Sequence, residues 1–252
     1  MKVPRQARGF ARAADTYERA RPEYPPAAVA WLAERLDLRP GRTVVDVAAG
    51  TGKLTRALVG TGARVVAVEP FAEMRRVLQE AVTEVEALEG TAEALPLEAS
   101  SVDAVTVAAA FHWFDVPDAL EEFARVLKRG GALGLVWNVR DARARIHQEL
   151  DALLEPHTAG APRVRAFAAT EHFPQGAFGP LEQAEFTHEQ WFDADGLVER
   201  IASISFVALL PDDERAELLA RVHAVGKRYE APFSFPYRTE VFVSRRLVPV
   251  DG

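Results

Sequence analysis

The sequence predicts an α/β protein built on a mostly parallel sheet. Three observations predict it. Short, β-branched, almost continuously apolar runs recur along the first half of the chain. Segments with helical spacing alternate with them. A glycine turn stands where the first run meets the first such segment.

TVVDVAA (43–49) is apolar enough to be buried on both faces of a parallel sheet. Glycines break it, and Leu54, Leu58 and Val59 follow at helical spacing. ARVVAVEP (63–70) is the second strand, with AEMRRVLQEAV as its helix. A weaker third strand is expected over 85–88 and a fourth over 101–110, SVDAVTVAAA. The helix PDALEEFARVLKRGG follows, expected to stop at its glycines. ALGLVWN (132–138) is the fifth strand. Beyond Asp141 the alternation loosens: a helix over 142–154, a loop or lid over 157–180, a strand in EFTHEQWF, helices in DADGLVERIAS and DDERAELLARVHAVGKRYE, and a closing strand, TEVFVSRRL.

Composition limits the function. At 252 residues the chain is long enough for one large domain or one with an insertion. A net charge of −7 argues against a broad nucleic-acid footprint, which usually shows as a basic face. Cysteine is absent, which excludes disulfides, thiolate metal sites and a cysteine nucleophile; the histidines lack ligand spacing, so no metal is expected. The start of the chain has no signal-peptide core, and no apolar run spans a bilayer. The expectation is a soluble, cytoplasmic protein without a membrane partner. Arginine far outnumbers lysine and Asn138 is the one asparagine, as a heat-adapted source or a GC-rich genome would each produce.

The stretch TVVDVAAGTGKLTRAL carries the chemistry. Ligands of open α/β sheets sit at the carboxyl ends of the strands, where a glycine turn admits close backbone approach. Gly50 and Gly52 fit that role. A P-loop needs Ser or Thr after its Gly-Lys and an earlier glycine, but Leu54 and Val47 stand there. The dinucleotide fingerprint needs a third glycine where this chain has Thr55. Glu69, at the end of the second strand, stands where an acid accepts hydrogen bonds from ribose hydroxyls. A ribose without a pyrophosphate points to S-adenosylmethionine. The alternative is a tight turn beside a solvated acid.

VVDVAAGTGKLT resembles motif I of the class I S-adenosylmethionine-dependent methyltransferases, an acid-x-Gly-x-Gly-x-Gly pattern in which Asp46, Gly50 and Gly52 match and Ala48 replaces the first glycine. VVAVEP, GTAEALPLEASSVDAVTVAAAFHWFD and RVLKRGGALGLVWN resemble the regions that follow. DTYERARPEYP, FHWFD, WNVRD and LPDDERAELL are similar to small-molecule methyltransferases of the type 11 kind that include trans-aconitate methyltransferase. The resemblance implies a doubly wound, Rossmann-like, seven-stranded sheet, six strands parallel and the last antiparallel. It also implies one methyltransferase domain over 1–252, with N-terminal lid helices in 1–40, a cofactor-binding core in 41–141, and substrate-side helices and closing strands in 142–252.

It further implies site roles. Asp46 orients the glycine loop or reaches the methionine amine, and Ala48, Gly50, Thr51 and Gly52 form the loop. Glu69 and Pro70 meet the ribose, and Phe71 and Met74 pack on the adenine, unless Met74 is ordinary helix core. Relatives often carry an acid where Thr91 stands, which leaves the adenine edge to Ala92 and Glu93. Carbonyls of Ala108 and Ala109 meet the methionine amine. His112 is a general base, a hydrogen-bonding wall or a structural histidine. Trp113, beside Phe114, shapes an acceptor pocket with Tyr24 and Trp137, or packs against the next helix. Tyr17 and Arg21 cover the methionine end of the cofactor, or belong to a helix that only caps the fold. Arg140 binds an anionic acceptor or pairs with Asp141 or another acid.

The expected activity is methyl transfer from S-adenosylmethionine to a small molecule, with a carboxylate oxygen as acceptor. The alternatives are a base-dependent transfer to a hydroxyl or phenol, and a cofactor-binding module without catalysis. A nucleic-acid substrate is disfavoured: AFHW stands where amino-methylating DNA enzymes carry Asn/Asp-Pro-Pro-aromatic, and cytosine C5 chemistry needs a cysteine. A monomer or homodimer is expected.

Overall fold

The computed structural model describes residues 14–158, 173 and 176–247. Seven strands form one sheet: β1 (Thr43–Val47), β2 (Arg64–Val68), β3 (Glu86–Leu88), β4 (Val102–Ala108), β5 (Leu127–Arg140), β6 (Glu182–Phe192) and β7 (Phe233–Arg245). Their order is β3-β2-β1-β4-β5-β7-β6. The β1–β2, β1–β4, β2–β3 and β4–β5 pairs are parallel. This is the expected mostly parallel, doubly wound sheet, and the closing strand lies inside it, between β5 and β6. The helices are α1 (Ala14–Ala20), α2 (Pro26–Leu36), α3 (Lys53–Val59), α4 (Ala72–Ala81), α5 (Val116–Val126), α6 (Arg145–Leu154), α7 (Ala194–Ala202), α8 (Ser205–Ala208) and α9 (Asp212–Gly226).

The chain packs as two compact units. The described residues of one fall within Met1–Pro22, Val139–Arg163 and Thr187–Arg238, and those of the other within Glu23–Asn138, Val164–Phe186 and Thr239–Gly252. The second unit holds β1 to β4, whose β-branched residues are buried as the apolar runs require: Val44, Val45 and Val47 in β1, and Val102, Val105 and Val107 in β4. Leu32 and Leu36 of α2, Leu54 and Leu58 of α3 and Leu78 of α4 join the same core. The first unit has its own core, in which Ile146 and Leu150 of α6, Leu197 and Ile201 of α7, and Leu218 and Val222 of α9 meet Phe233, Phe235 and Tyr237 of β7.

Two boundaries differ from expectation. The helix after β4 ends at Val126, before the glycine pair, because Leu127 is extended (φ −67°, ψ 137°) and pairs with Val102. The next aligned pair is Ala104 with Ala132, so Lys128–Gly131 form a bulge inside β5, with Gly130 at φ +74°. Lys128 Nζ reaches back to Asp103 at 2.8 Å, which anchors that bulge. The glycines therefore belong to the strand. The closing strand starts at Phe233, upstream of TEVFVSRRL, and includes Pro236. Most of the loop or lid expected over 157–180 lies outside the described residues, as does the start of the expected lid region.

Ala48, where the family pattern has glycine, adopts φ +53°. A Cβ in the left-handed region costs about 1–2 kcal/mol. Ala48→Gly is therefore expected to raise the unfolding free energy by about 1 kcal/mol, less a few tenths lost to the freer unfolded chain. Urea denaturation checks it, and an unchanged or lower midpoint overturns the strain assignment.

Candidate active site

Because β1 to β5 run parallel in that register, their carboxyl ends share one edge of the sheet. Val47 lies beside Val68 and Val107, Val68 beside Leu88, and Ala108 beside Val136. The edge brings together most of the residues singled out in the sequence. The loop Ala48–Gly52 follows β1. Glu69, Pro70 and Phe71 follow β2, with Met74 in the first turns of α4. Thr91, Ala92 and Glu93 come after β3, and Ala109, His112 and Trp113 after β4. Trp137 lies within β5, and Tyr24, ahead of α2, packs partly buried on the same core.

The loop is shaped by backbone that glycine tolerates best: Gly50 at φ +60° and Gly52 at φ +88°. A Cβ on Gly50 would meet nothing within 4 Å, so one side of the loop is open. Asp46, fully buried beneath it, takes a hydroxyl on each oxygen. Thr55 Oγ1 donates to Oδ2 at 2.6 Å, and Thr106 Oγ1 to Oδ1 at 3.0 Å. Burial pushes the Asp46 carboxyl up to about 6, and the two hydroxyls oppose that rise. Through these two hydroxyls Asp46 ties the end of β1 to α3 and β4. Thr55, which denied the loop its third glycine, is what orients Asp46. The sequence reading missed Thr55 and Thr106 as partners, although a hydroxyl in the first turn of the helix was visible.

Glu69 is 4% exposed. Its Oε2 accepts the Gly50 N–H at 2.9 Å and its Oε1 the Phe71 N–H at 3.0 Å. Arg75 steadies the same turn by donating to the Glu69 carbonyl at 2.7 Å. Burial pushes the Glu69 carboxyl up to about 7, against the two N–H groups and Arg75. Each carboxylate oxygen retains acceptor capacity for an outside donor. The glycine loop and the acid thus form one device, joined by the Gly50 N–H.

Further along the edge, buried polar atoms without a hydrogen-bond partner among the described residues include Thr51 Oγ1, His112 Nδ1 and Trp137 Nε1. Such orphans are costly unless something else meets them. The His112 imidazole sits in a 3₁₀ turn (Phe111–Trp113) pinned by the fully buried Phe111, its ring 4.6 Å from that of Trp113. Burial pushes it down to about 4, so it is neutral at physiological pH. Trp137 is buried, edge-on to Phe242 with centroids 6.0 Å apart. Met74 is buried with Val77 and Leu78 on one face of α4, the core alternative raised for it. Thr91 Oγ1 is buried without a partner, and Glu93 accepts the Asp115 N–H at the start of α5 (3.1 Å). Lys53 and Arg56 both reach Glu23 at 2.8 Å, and Asn138 Nδ2 donates to the Glu23 carbonyl; these fasten the start of the second unit.

Tyr17, Arg21 and Arg140 belong to the first unit. The Arg21 guanidinium lies 5.0 Å from the Tyr17 ring centroid and donates to Ser203 Oγ (3.1 Å) and the Ser203 carbonyl (2.9 Å). Arg140 pairs with Asp151 at 2.5 Å, the acid-paired alternative, with an acid one helix on in place of Asp141. Asp141 binds Arg143. Burial, then Arg200, pushes Arg21 down to about 10. Burial also lowers Arg140, with Asp151 working against it and Arg200 adding to it. Arg200 was not anticipated. Its position, three residues after Leu197 and beside Ile201, places it on the inner stripe of α7, and that was the available signal.

Among the described residues no group of acids and histidines is placed to hold a metal ion, and no helix is long and apolar enough to cross a membrane.

The arrangement is that of a methyltransferase sheet, and comparison with known proteins agrees. Residues 45–135 match a family profile described as a methyltransferase domain. An uncharacterized methyltransferase of Mycobacterium tuberculosis, Rv3342, is 42% identical over 213 residues, 84% of this chain and 83% of the relative. An uncharacterized methyltransferase of Schizosaccharomyces pombe is 35% identical over 212 residues, 84% of each chain. Among solved structures, one described as a type II methyltransferase from Anaeromyxobacter dehalogenans superposes with a TM-score of 0.65 at 24% identity, over 91% of this chain and 99% of that one. Another, from an antibiotic biosynthesis pathway of Anabaena variabilis, gives 0.64 at 23% identity, over 88% and 98%. The chain belongs to the methyltransferase family of these relatives, and its sheet has the class I methyltransferase fold. It is an enzyme of the methyltransferase-domain family, with S-adenosyl-L-methionine as its cofactor.

Proposed function

We propose that this methyltransferase acts on a small molecule whose accepting oxygen is already ionised at neutral pH, a carboxylate, and makes a methyl ester. The observation that carries this is the state of His112. An imidazole whose conjugate acid titrates near 4 is a poor base. Taking a proton from a phenol, which titrates near 10, would be uphill by about 8 kcal/mol, and an aliphatic hydroxyl would be worse. A carboxylate needs no such help.

When bound, S-adenosylmethionine supplies a methyl group on a sulfonium, an electrophile that needs no further activation. The chain's own work is positioning and exclusion of water. Glu69 accepts hydrogen bonds from the ribose hydroxyls, held in place by the Gly50 and Phe71 N–H groups. The open side of the loop from Ala48 to Gly52 admits the cofactor against the backbone, with Thr51 Oγ1 available to it. Pro70 and Phe71 would line the adenine together with Thr91, Ala92 and Glu93, with Met74 in the core behind them. The backbone of Ala108 and Ala109 closes the methionine end. Tyr24, Trp113 and Trp137 bound the acceptor, and His112 serves as a neutral wall that donates or accepts one hydrogen bond.

The test is His112→Gln, assayed with a panel of small carboxylic acids and phenols. The variant is expected to keep turnover within about tenfold of wild type, since it loses at most one neutral hydrogen bond. The product is expected to gain one methyl by mass and to be cleaved by hydroxylamine, as an ester is. Abolished activity in the variant, together with a hydroxylamine-resistant product, would establish a base-dependent hydroxyl or phenol acceptor instead.

A further inference from the structure

The turn that carries His112 is a single 3₁₀ turn, Phe111–Trp113, and so short a turn holds itself weakly. The Trp113 N–H reaches the Ala110 carbonyl at 2.9 Å and the Phe114 N–H the Phe111 carbonyl at 3.3 Å, and no side chain caps its start. What fixes it is the fully buried Phe111. Two aromatic rings hold that one. Phe114 meets it edge-on with centroids 6.0 Å apart, and in turn meets Phe123 of α5 edge-on at 6.3 Å. Phe173 stacks on it, with centroids 6.3 Å apart and planes 29° from parallel. Both separations are in the range where aromatic rings attract.

Phe114 continues the turn itself, whereas Phe173 comes from outside the 45–135 stretch that the family profile matches. Phe173 is held in its turn. It meets Phe178 edge-on at 6.2 Å, and Phe178 is buried. Phe178 faces Arg246 across an antiparallel bridge, and its neighbours extend the pairing: the Gly179 N–H donates to the Arg245 carbonyl at 2.9 Å and the Leu247 N–H to the Ala177 carbonyl at 2.7 Å. Ser244 Oγ donates to the Gly179 carbonyl at 2.7 Å, and the Arg246 N–H to the Gly131 carbonyl in the β5 bulge at 2.9 Å. Phe178 is therefore fixed to the sheet by backbone, and Phe173 bridges it to Phe111. All these residues lie in the second unit.

We infer that Phe173 is a positioning residue for methyl transfer: by stacking on Phe111 it holds in place, and keeps dry, the turn that presents His112 and Trp113 to the acceptor. Those two rings, 4.6 Å apart, follow Phe111 directly, so a shift of Phe111 moves both. The geometry of the acceptor side is thus set partly from outside the shared core. The inference rests on the reading of His112 as a wall of the acceptor site, and not on the acceptor being a carboxylate.

The experiment is an NMR titration of the His112 imidazole in the full chain, without cofactor or acceptor, in wild type and three variants. Phe173→Ala removes the ring, Phe173→Leu keeps much of its bulk, and Phe173→Tyr keeps the ring. Burial holds His112 near 4 in wild type, and water admitted beside the turn relieves that burial. His112 is expected to titrate at least about one unit higher in Phe173→Ala, toward the ordinary 6.5 of a histidine, somewhat higher in Phe173→Leu, and as wild type in Phe173→Tyr. A role in overall stability alone would lower the melting temperature and leave the titration where it is. S-adenosylhomocysteine affinity is expected to stay within about threefold of wild type in all three, since the glycine loop and Glu69 are untouched. Against the same panel of acids and phenols, Phe173→Ala is expected to lose about tenfold in kcat/KM for the acceptor, and Phe173→Tyr to restore it. If Phe173→Ala does not fold, Phe173→Leu decides. An unchanged His112 titration, or wild-type kcat/KM for the acceptor without the ring, would overturn the inference and leave Phe173 as ordinary packing. Failure of the carboxylate reading shows instead in the chemistry of the product, so the two failures are told apart.

Discussion

Glu69→Ala is expected to bind S-adenosylhomocysteine roughly a hundredfold more weakly than wild type, a loss on the order of 3 kcal/mol. Two hydroxyl donors on one ionised carboxylate are each worth about 1.5–3 kcal/mol, and the alanine removes both. The buried position sharpens the test, because it also makes the affinity depend on pH. In the free protein the Glu69 carboxyl titrates near 7, above its ordinary range. Ribose hydroxyls donate best to the ionised form, so binding draws the carboxyl back toward ionisation. Above pH 7 the free protein is already ionised and no proton need leave. Below pH 7 a proton must be expelled, and affinity falls by up to about tenfold per unit until the bound-state value is reached. Wild type should therefore bind about tenfold more weakly at pH 6 than at pH 8. Glu69→Gln lacks that titration, so any slope left in it belongs to the ligand or to Asp46, which titrates near 6 beneath the same loop. Calorimetry in two buffers of different ionisation enthalpy reads the proton release directly. Equal affinity of wild type and Glu69→Ala, or the same pH slope in wild type and Glu69→Gln, would remove Glu69 from the ribose.

How much of this was legible in the sequence follows from the range of each interaction. The strand-turn-helix at β1 was visible because every cause is local: a β-branched run, two glycines and a leucine repeat. Glu69 was visible because it ends the next strand, and parallel pairing then fixes its height beside Val47 and Gly50. The end of α5 was misjudged because a glycine pair after a helical pattern usually marks a helix stop. Here a tertiary pairing, Leu127 with Val102, took those residues into the sheet. The start of β7 was missed for a similar reason. Pro236 argues locally against a strand, yet its carbonyl is the acceptor for both Asp141 and His147. The arginines show the opposite limit. Arg21 and Arg140 were noticed as charges, but their bonded partners Ser203 and Asp151 lie 182 and 11 residues away, beyond the reach of any local pattern. Such pairs become visible only when the fold is.

The two loop glycines should separate by what their substitution costs. At Gly52 a Cβ would lie 2.9 Å from Leu78 Cγ, with Leu78 Cδ1 and Val82 Cγ2 both at 3.5 Å. Leu78 is fully buried and Cγ is its branch point, so it has little room to retreat. Left-handed strain of about 1 kcal/mol and overpacking of about 1–3 kcal/mol add to a destabilisation of about 2–4 kcal/mol for Gly52→Ala. At Gly50 a Cβ would meet no protein atom within 4 Å, and the cost is the strain alone, about 1 kcal/mol. The space beside Gly50 is empty of protein, while its N–H is taken by Glu69. If the cofactor occupies it, Gly50→Ala should lower S-adenosylhomocysteine affinity by about tenfold or more while the fold stays nearly as stable as wild type. Urea denaturation and calorimetry on the two variants are sufficient. The expected pattern is a stability loss at Gly52 and an affinity loss at Gly50. Should Gly50→Ala bind the cofactor as wild type does, the open side of the loop is not where the cofactor lies, whatever the fold has in common with other methyltransferases.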